Sequence, residues 1–376
     1  MAIVQYNYPT IIKFGPGAVA LAADAIKSRG LSRPLVLTDT GVAPLPFFQK
    51  IVDSLNAAGL MAGAFSSVYG NPVKSQVSAG VKVYHDHHAD SLVIVGGGAA
   101  LDVGKVVALM VHHPGDLFDY EDDKPGGLPV DREIPFMIAV PTTAGTGSEV
   151  GRSSVISDDV THIKRIIFSP RLLPPLVLSD PELTVGLPAS VTASTGVDAL
   201  SHNVEAYLSK GFHPLADGIA LQGIKLVAQN LETCIKEPGN LDARGKMLMA
   251  SSMGATAFQK GLGVTHSCAH ALSAVCDLHH GLAISIMMPA CMRFNAAVAG
   301  DRLADMTHAA GATGDFAAWL EELQTRVGLP LKLSAAGVTP EHLDKLVEIA
   351  VNDVCHPCNP RPVSAADFRA LFEAAL

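Results

Sequence analysis

The chain has 376 residues, more than one hydrophobic core usually serves, and it is 48% hydrophobic, 17% charged and 5% aromatic, the composition of a well-buried enzyme rather than a disordered chain. Lys and Arg number 27 against 36 Asp and Glu, a formal net charge of −9, and no basic run is long enough to track a phosphate backbone, so no nucleic-acid partner is expected. Six scattered cysteines make no disulfide framework, apolar runs such as 135–140 and 283–290 are short for a bilayer, and the amino terminus lacks the order of a signal peptide; a cytoplasmic protein with reduced thiols and no membrane partner is expected.

In chain order, 11–14 and 35–39 read as short buried strands, each followed by glycine and a helical stretch. A stronger strand, 91–95, runs straight into Gly96-Gly97-Gly98-Ala99-Ala100-Leu101-Asp102-Val103-Gly104-Lys105, whose second half has helical spacing. Strand, glycine loop and helix are the order a phosphate site needs, because glycines let backbone N–H groups approach an anion and the helix start adds partial positive charge. The spacing is not G-x-G-x-x-G, and a tight turn would use three glycines equally well. A further buried strand, 136–140, ends in Pro141-Thr142-Thr143-Ala144-Gly145-Thr146-Gly147-Ser148-Glu149, a loop rich in hydroxyls that would complete a dinucleotide crevice beside the glycines.

From about Pro181 the pattern turns helical, with 183–210 as the first long helix and no run of strands. The expected organisation is therefore an α/β domain over 1–180 and an all-helical domain over 181–376, with the active site in the cleft between them. His266 and His270 stand four apart, as do Asp198 and His202, so on helices each pair shares one face. Asp198, His202, His266 and His280 supply the nitrogen and oxygen donors that a first-row divalent metal prefers, although spacing alone does not separate His280 from His279. Other histidines read as decoys. His85, His87 and His88 fall at the polar end of a helix, and His112 and His113 end another, where cations suit the dipole. Cys355 and Cys358 match C-x-x-C, but with no second pair for zinc, and with Asn359 rather than histidine following, the match reads as coincidence.

Together these motifs resemble the iron-containing (group III) alcohol dehydrogenase family. The resemblance rests on Phe14-Gly15-Pro16-Gly17, 96–105, 141–149, Asp180-Pro181-Glu182-Leu183, 196–202, 261–281 and Asn359-Pro360-Arg361, and so runs over nearly the whole chain. It implies an amino-terminal α/β dinucleotide domain and an all-helical carboxyl-terminal domain with the architecture shared with dehydroquinate synthase. It also implies metal ligands at Asp198, His202, His266 and His280, the last being the histidine directly before glycine. Cofactor residues would fall at Asp39, Gly97, Gly98, Thr142 and Lys164. An acid at position 39 can accept from a ribose 2′-OH and would repel a 2′-phosphate, which favours NAD over NADP. Two positions depart from the family pattern: Ala99 replaces the usual serine after the glycines, and Ala271 follows the non-ligand histidine His270.

The activity so implied is reversible hydride transfer between a small primary alcohol, or the matching aldehyde, and NAD, with a divalent metal lowering the alcohol's pKa. Iron(II) is the expected metal, zinc the alternative, and a homodimer or larger homo-oligomer the expected assembly. His270, beside the ligand set, is the candidate for relaying the proton. Around Arg152 and 257–263 the chain is similar to family members acting on 4-hydroxybutyrate, implying an ω-hydroxy acid substrate with Arg152 and Phe258 as substrate residues. The rival reading is a dehydroquinate synthase-like carbon–oxygen lyase; that relative uses a glutamate and two histidines on its metal, which the ligand pattern here does not match.

Overall fold

The computed structural model describes Tyr8 and residues 10–161 and 163–376. The amino-terminal stretch read above for signal-peptide order lies largely outside the described residues. Two compact units divide the chain: one runs up to Thr143 and resumes at Gly147–Thr184, and the other holds Ala144–Thr146 and Val185–Leu376.

The first unit is built on β1 (Ile11–Phe14), α1 (Ala22–Lys27), β2 (Pro34–Asp39), α2 (Pro46–Ala57), β3 (Gly63–Val68), α3 (Lys74–Asp86), β4 (Ser91–Gly96), α4 (Gly98–Met110), β5 (Phe136–Pro141), β6 (Ser153–Ser157), β7 (Lys164–Phe168) and β8 (Leu176–Ser179). Six strands form one sheet in the order β1-β8-β5-β4-β2-β3, every pair parallel, while β6 and β7 make a separate antiparallel hairpin. Parallel strands need crossovers and end up covered on both faces, which is why β2 and β4 are near-continuous runs of buried Leu, Val and Ile. From β2 the chain moves outward to β3, then returns to place β4 on the other side of β2. The gap between the carboxyl ends of β2 and β4 is therefore a topological switch point, where open α/β sheets bind ligands.

Strands β1, β2, β4 and β5 stand where the sequence pattern places them, but β1 is not the buried strand expected: it lies at the edge of the sheet with Ile11 and Phe14 exposed. By contrast, β3, β6 and β7 carry no comparable pattern: β3 is Gly-Ala-Phe-Ser-Ser-Val with only two buried residues, and the hairpin strands are short and partly exposed; β8, Leu-Val-Leu-Ser, is fully buried but only four residues long. His113 is no exposed dipole partner. It is buried, its Nδ1 2.7 Å from the Leu109 carbonyl oxygen, while its Nε2 accepts from Arg132 N–H at 3.1 Å.

In the second unit every described helix or strand is helical: α5 (Ala189–Leu208), α6 (Pro214–Lys236), α7 (Leu241–Ala257), α8 (Val264–Cys276), α9 (His280–Ala309), α10 (Phe316–Arg326), α11 (Leu343–Val351) and α12 (Ala365–Ala375). The first long helix begins at Ala189 rather than 183, because Pro188 occupies its N-cap position and 181–184 form a separate 3-10 turn. Sixteen of the twenty residues of α5 are buried, so it is the central helix of its unit rather than an amphipathic surface one. The 30-residue α9 is long and apolar enough to cross a bilayer by composition alone, yet 61% of its apolar window is buried inside the protein, as in a core helix.

Candidate functional site

Asp198 and His202 lie one turn apart on α5, and His266 sits in the first turn of α8. Their side chains meet: one ligand atom from each falls within 4.8 Å of the others. His280, the first residue of α9, joins them through its Nε2, 3.5 Å from Asp198 Oδ1. The His202 and His266 rings stack at 4.7 Å between centroids, and the His280 ring lies 5.6 Å from that of His266. His279 does not share the cluster. It is exposed and serves as the N-cap of α9, its carbonyl accepting from Leu282 and Ala283 N–H.

The cluster has the character of a cation site. Asp198 Oδ1, His202 Nδ1 and His266 Nε2 are buried and find no hydrogen-bond partner among the described residues. Each such atom costs free energy unless something pairs with it, and donors of one carboxylate and several imidazoles are what a borderline divalent ion accepts. Burial pushes the His202 pKa down to about 4, against the opposing pull of Asp198, so its ring is neutral and able to ligate at physiological pH. The segment 144–146 closes over the same helix: a Cβ on Gly145 would stand 3.4 Å from Asp198 Oδ2, and Ser251 donates to the Gly145 carbonyl at 3.0 Å.

Two residues around this cluster, Glu205 and Asp353, escaped the sequence reading. Glu205, fully buried, accepts at 2.6 Å from His266 Nδ1 and also from the backbone N–H groups that start α8. Burial raises its pKa, but the donations from His266 and Thr265 outweigh that and leave the carboxyl below its ordinary value. Its position was legible: Asp198, His202 and Glu205 follow i, i+4, i+7 along one face of α5. Asp353 accepts from His270 Nδ1 and from Ser267 Oγ, both at 2.7 Å. Desolvation notwithstanding, His270 and Ser267 hold it well below the usual carboxylate range. No spacing signal links Asp353 to residues more than eighty positions earlier. His270 itself stacks on His280 at 5.4 Å, outside the ligand cluster. Phe258 begins a 3-10 turn, its ring 5.3 Å from that of His202. Asn359 of the Asn-Pro-Arg motif is structural: it bonds to Asn295 and receives Val264 N–H, tying the carboxyl-terminal segment to the start of α8.

In the α/β unit the glycine turn follows β4. A Cβ on Gly96 would meet Ala100 Cβ at 2.6 Å and Asp39 Oδ2 at 3.0 Å, so only glycine lets the turn pass so close to the end of β2. Gly97, which has no side chain to cap α4, leaves the first N–H groups of that helix, starting at Gly98, facing outward from the strand end. Beside them Thr142 donates its N–H to the Gly96 carbonyl at 3.0 Å, and Thr143 packs under Gly97. The other oxygen of Asp39, Oδ1, accepts from Gly41 and Val42 N–H at 2.9 Å, which fixes the carboxylate at the switch point. Asp39, Gly97, Gly98 and Thr142 are thus gathered at three neighbouring strand ends; Lys164 opens β7 on the hairpin instead.

Arg152 lies just before β6. Its guanidinium stands 5.4 Å from the Phe168 ring centroid, and among the described residues it forms no ion pair. The residues on either side of it are held by Lys105, whose fully buried ammonium donates to the Ser148 carbonyl at 3.1 Å, the Ser148 hydroxyl at 2.6 Å and the Ser153 carbonyl. Asp102 accepts from Ser148 Oγ and Val155 N–H and stands 3.4 Å from Lys105 Nζ. Burial still lowers the Lys105 pKa, Asp102 offsetting only part of it.

Comparison with known proteins gives one consistent result. The pattern of "Iron-containing alcohol dehydrogenase" matches residues 9–181 and that of "Fe-containing alcohol dehydrogenase family, C-terminal" residues 192–376. Among similar proteins is a 4-hydroxybutyrate dehydrogenase of Cupriavidus necator, 38% identical over 387 residues and covering 100% of both chains. A crystal structure of 1,3-propanediol oxidoreductase superposes with a TM-score of 0.95 at 33% identity, covering 100% of each chain. A sulfoacetaldehyde reductase from Bifidobacterium kashiwanohense in complex with NAD+ superposes with a TM-score of 0.91 at 28% identity, over 100% of this chain and 99% of that one.

Proposed function

Because the chain belongs to the iron-containing alcohol dehydrogenase family, we infer that it catalyses reversible hydride transfer between a small primary alcohol and NAD at a divalent metal held by Asp198, His202, His266 and His280. The observation that carries this reading is the buried cluster of Asp198, His202 and His266, in which Asp198 Oδ1 and His266 Nε2 find no hydrogen-bond partner among the described residues. When bound, the divalent ion supplies Lewis-acid charge that eases deprotonation of the alcohol and polarises the aldehyde carbonyl, and NAD supplies the hydride acceptor. Asp198 offsets one of the ion's two charges and the imidazoles none, so the site keeps a net positive charge. Asp353, held as a carboxylate, keeps the proton of His270 on Nδ1 and leaves Nε2 to take and return the alcohol proton. The glycine turn and the start of α4 receive the pyrophosphate, Thr142 and Lys164 assist, and Asp39 selects NAD against NADP.

For the substrate we propose an ω-hydroxy acid such as 4-hydroxybutyrate, with Phe258 flanking the carbon chain and Arg152 binding the carboxylate. Support comes from a guanidinium that has an aromatic neighbour but, among the described residues, no carboxylate partner, and from a relative named as a 4-hydroxybutyrate dehydrogenase. Iron(II) is the proposed metal, with zinc suited to the same donors. Six free cysteines support a cytoplasmic location, and a homodimer or larger homo-oligomer is the proposed assembly.

The test is a comparison of kcat/KM for 4-hydroxybutyrate and 1-butanol with NAD, in the wild type and in Arg152→Ala. A charged hydrogen bond of roughly 1.5–3 kcal/mol predicts a wild-type preference for the acid of about one to two orders of magnitude, lost in the variant. Equal values in the wild type, or an unchanged ratio in Arg152→Ala, would remove Arg152 from the substrate site.

A further inference from the structure

Glu205 is a buried carboxylate in the helical unit that the proposed chemistry leaves without a task. Its side chain is 1% exposed and lies on α5, one turn beyond His202. Among the described residues, the hydrogen-bond partners of its two oxygens are donors: Thr265 N–H reaches Oε1 at 2.6 Å, and Gly263 N–H, His266 N–H and His266 Nδ1 reach Oε2 at 3.0, 3.3 and 2.6 Å. A backbone N–H always donates, so this carboxylate is committed to accepting. The shared hydrogen of the shortest side-chain contact then sits on His266 Nδ1. That leaves Nε2 with its lone pair free, and Nε2 is the buried atom aimed at Asp198 and His202.

Local sequence is shaped to admit this contact. A Cβ on Gly263 would stand 2.9 Å from Glu205 Oε1 and equally close to Asn359 Oδ1, so only glycine at the N-cap of α8 lets the carboxylate reach the first turn. Mere joining of two helices does not require such an arrangement. Apolar residues do that at lower cost, because removing a carboxylate from water carries a penalty that good geometry only offsets.

We propose that Glu205 is a positioning residue for the metal: it fixes the tautomer and ring orientation of His266, raises the basicity of Nε2, and so strengthens binding of the ion. This inference rests on the metal reading given under Proposed function. Carboxylates that orient a ligating imidazole in this way typically contribute about 10- to 100-fold in metal affinity.

The experiment uses full-length protein stripped of metal and titrated with zinc(II) in competition with a chelating dye, for the wild type, Glu205→Gln and Asp198→Ala. Glu205→Gln is expected to bind zinc about 10- to 100-fold more weakly, and Asp198→Ala to lose tight binding. A purely structural Glu205 would lower the melting temperature of the metal-free protein and leave zinc affinity at the wild-type value; that outcome, with Asp198→Ala still losing zinc, overturns the inference alone. Wild-type affinity in both variants overturns the metal reading and the inference with it. Should Glu205→Gln fail to fold, the zinc-loaded wild type with 15N-labelled histidine gives the answer, the His266 signal being assigned by its loss in His266→Gln. A proton on Nδ1 is expected, and a proton on Nε2 overturns the proposal.

Discussion

Gly281, the residue after His280, offers the sharpest test of how packing builds the metal site. In Gly281→Ala the new methyl would stand 2.5 Å from the Ser194 carbonyl oxygen, 2.8 Å from its carbon and 3.3 Å from Ser194 Cβ. Carbon–oxygen contacts settle at roughly 3.3–3.6 Å, so the start of α9 must retreat from α5 by about 0.8–1 Å. Backbone is on both sides, and no flexible side chain can yield instead. Overpacking of this kind costs about 1–3 kcal/mol, which should lower the melting temperature of the metal-free protein by a few degrees. The larger effect is on the site. Ser194 is one turn before Asp198, and metal–ligand distances tolerate only about ±0.2 Å, so a shift several times larger takes His280 out of reach and leaves three protein ligands. Zinc titration with dye competition and melting of the metal-free protein are the assays, with Gly300→Ala as control because nothing lies within 4 Å of a Cβ at that place on the same helix. Wild-type zinc affinity and wild-type kcat/KM in Gly281→Ala would refute the idea that this close approach sets the His280 ligand.

Asp198→Ala, His202→Ala and His280→Ala should each lose bound metal and activity while keeping the helical fold. His279→Ala should keep both, and metal analysis showing the reverse for the two neighbours would exchange their roles. Asp39→Gly should raise kcat/KM with NADP and lower it with NAD, because a carboxylate that would repel a 2′-phosphate is removed; a wild-type enzyme already preferring NADP contradicts the assignment. In the metal-free protein, His202 has a folded pKa of about 4 against an ordinary 6.5, so between these values the unfolded chain holds a proton that the folded one does not. Its contribution is fully present above pH 6.5 and is lost as pH falls towards 4, of the order of 3 kcal/mol in all. Urea unfolding at pH 7 and pH 4.5 should therefore show a smaller acid loss in His202→Gln than in the wild type, and equal losses would sink the argument.

Much of this protein is written locally. Strands β2 and β4 are near-continuous runs of buried Val, Leu and Ile and β5 is a run of apolar residues, Phe-Met-Ile-Ala-Val, so the parallel sheet and its glycine turn follow from short-range pattern. The pairing of Asp198 with His202 needs only the 3.6-residue repeat of a helix. Likewise, the change from strands to helices near 181 is a change of periodicity that a reader can see.

Tertiary structure decided what depends on distant segments arriving together. Strand β3 has only two buried residues and too weak a pattern to announce itself; pairing with β2 makes it a strand. Adjacent in sequence, His279 and His280 have nothing in their spacing to rank them. The fold ranks them, because Gly281 lets α9 close on Ser194 and so turns His280 towards Asp198 while His279 stays in solvent. Asp353 meets His270 across 83 positions, and Glu205 meets His266 across 61. Both carboxylates take their meaning from a donor on another element, and the hydrogen bond between His266 Nδ1 and Glu205 leaves Nε2 on the other side of the ring. Sequence by itself determined which residues could ligate a metal. Packing determined which of them come together, since hydrogen-bond partners and close backbone approach are properties of the assembled helices and not of any one stretch.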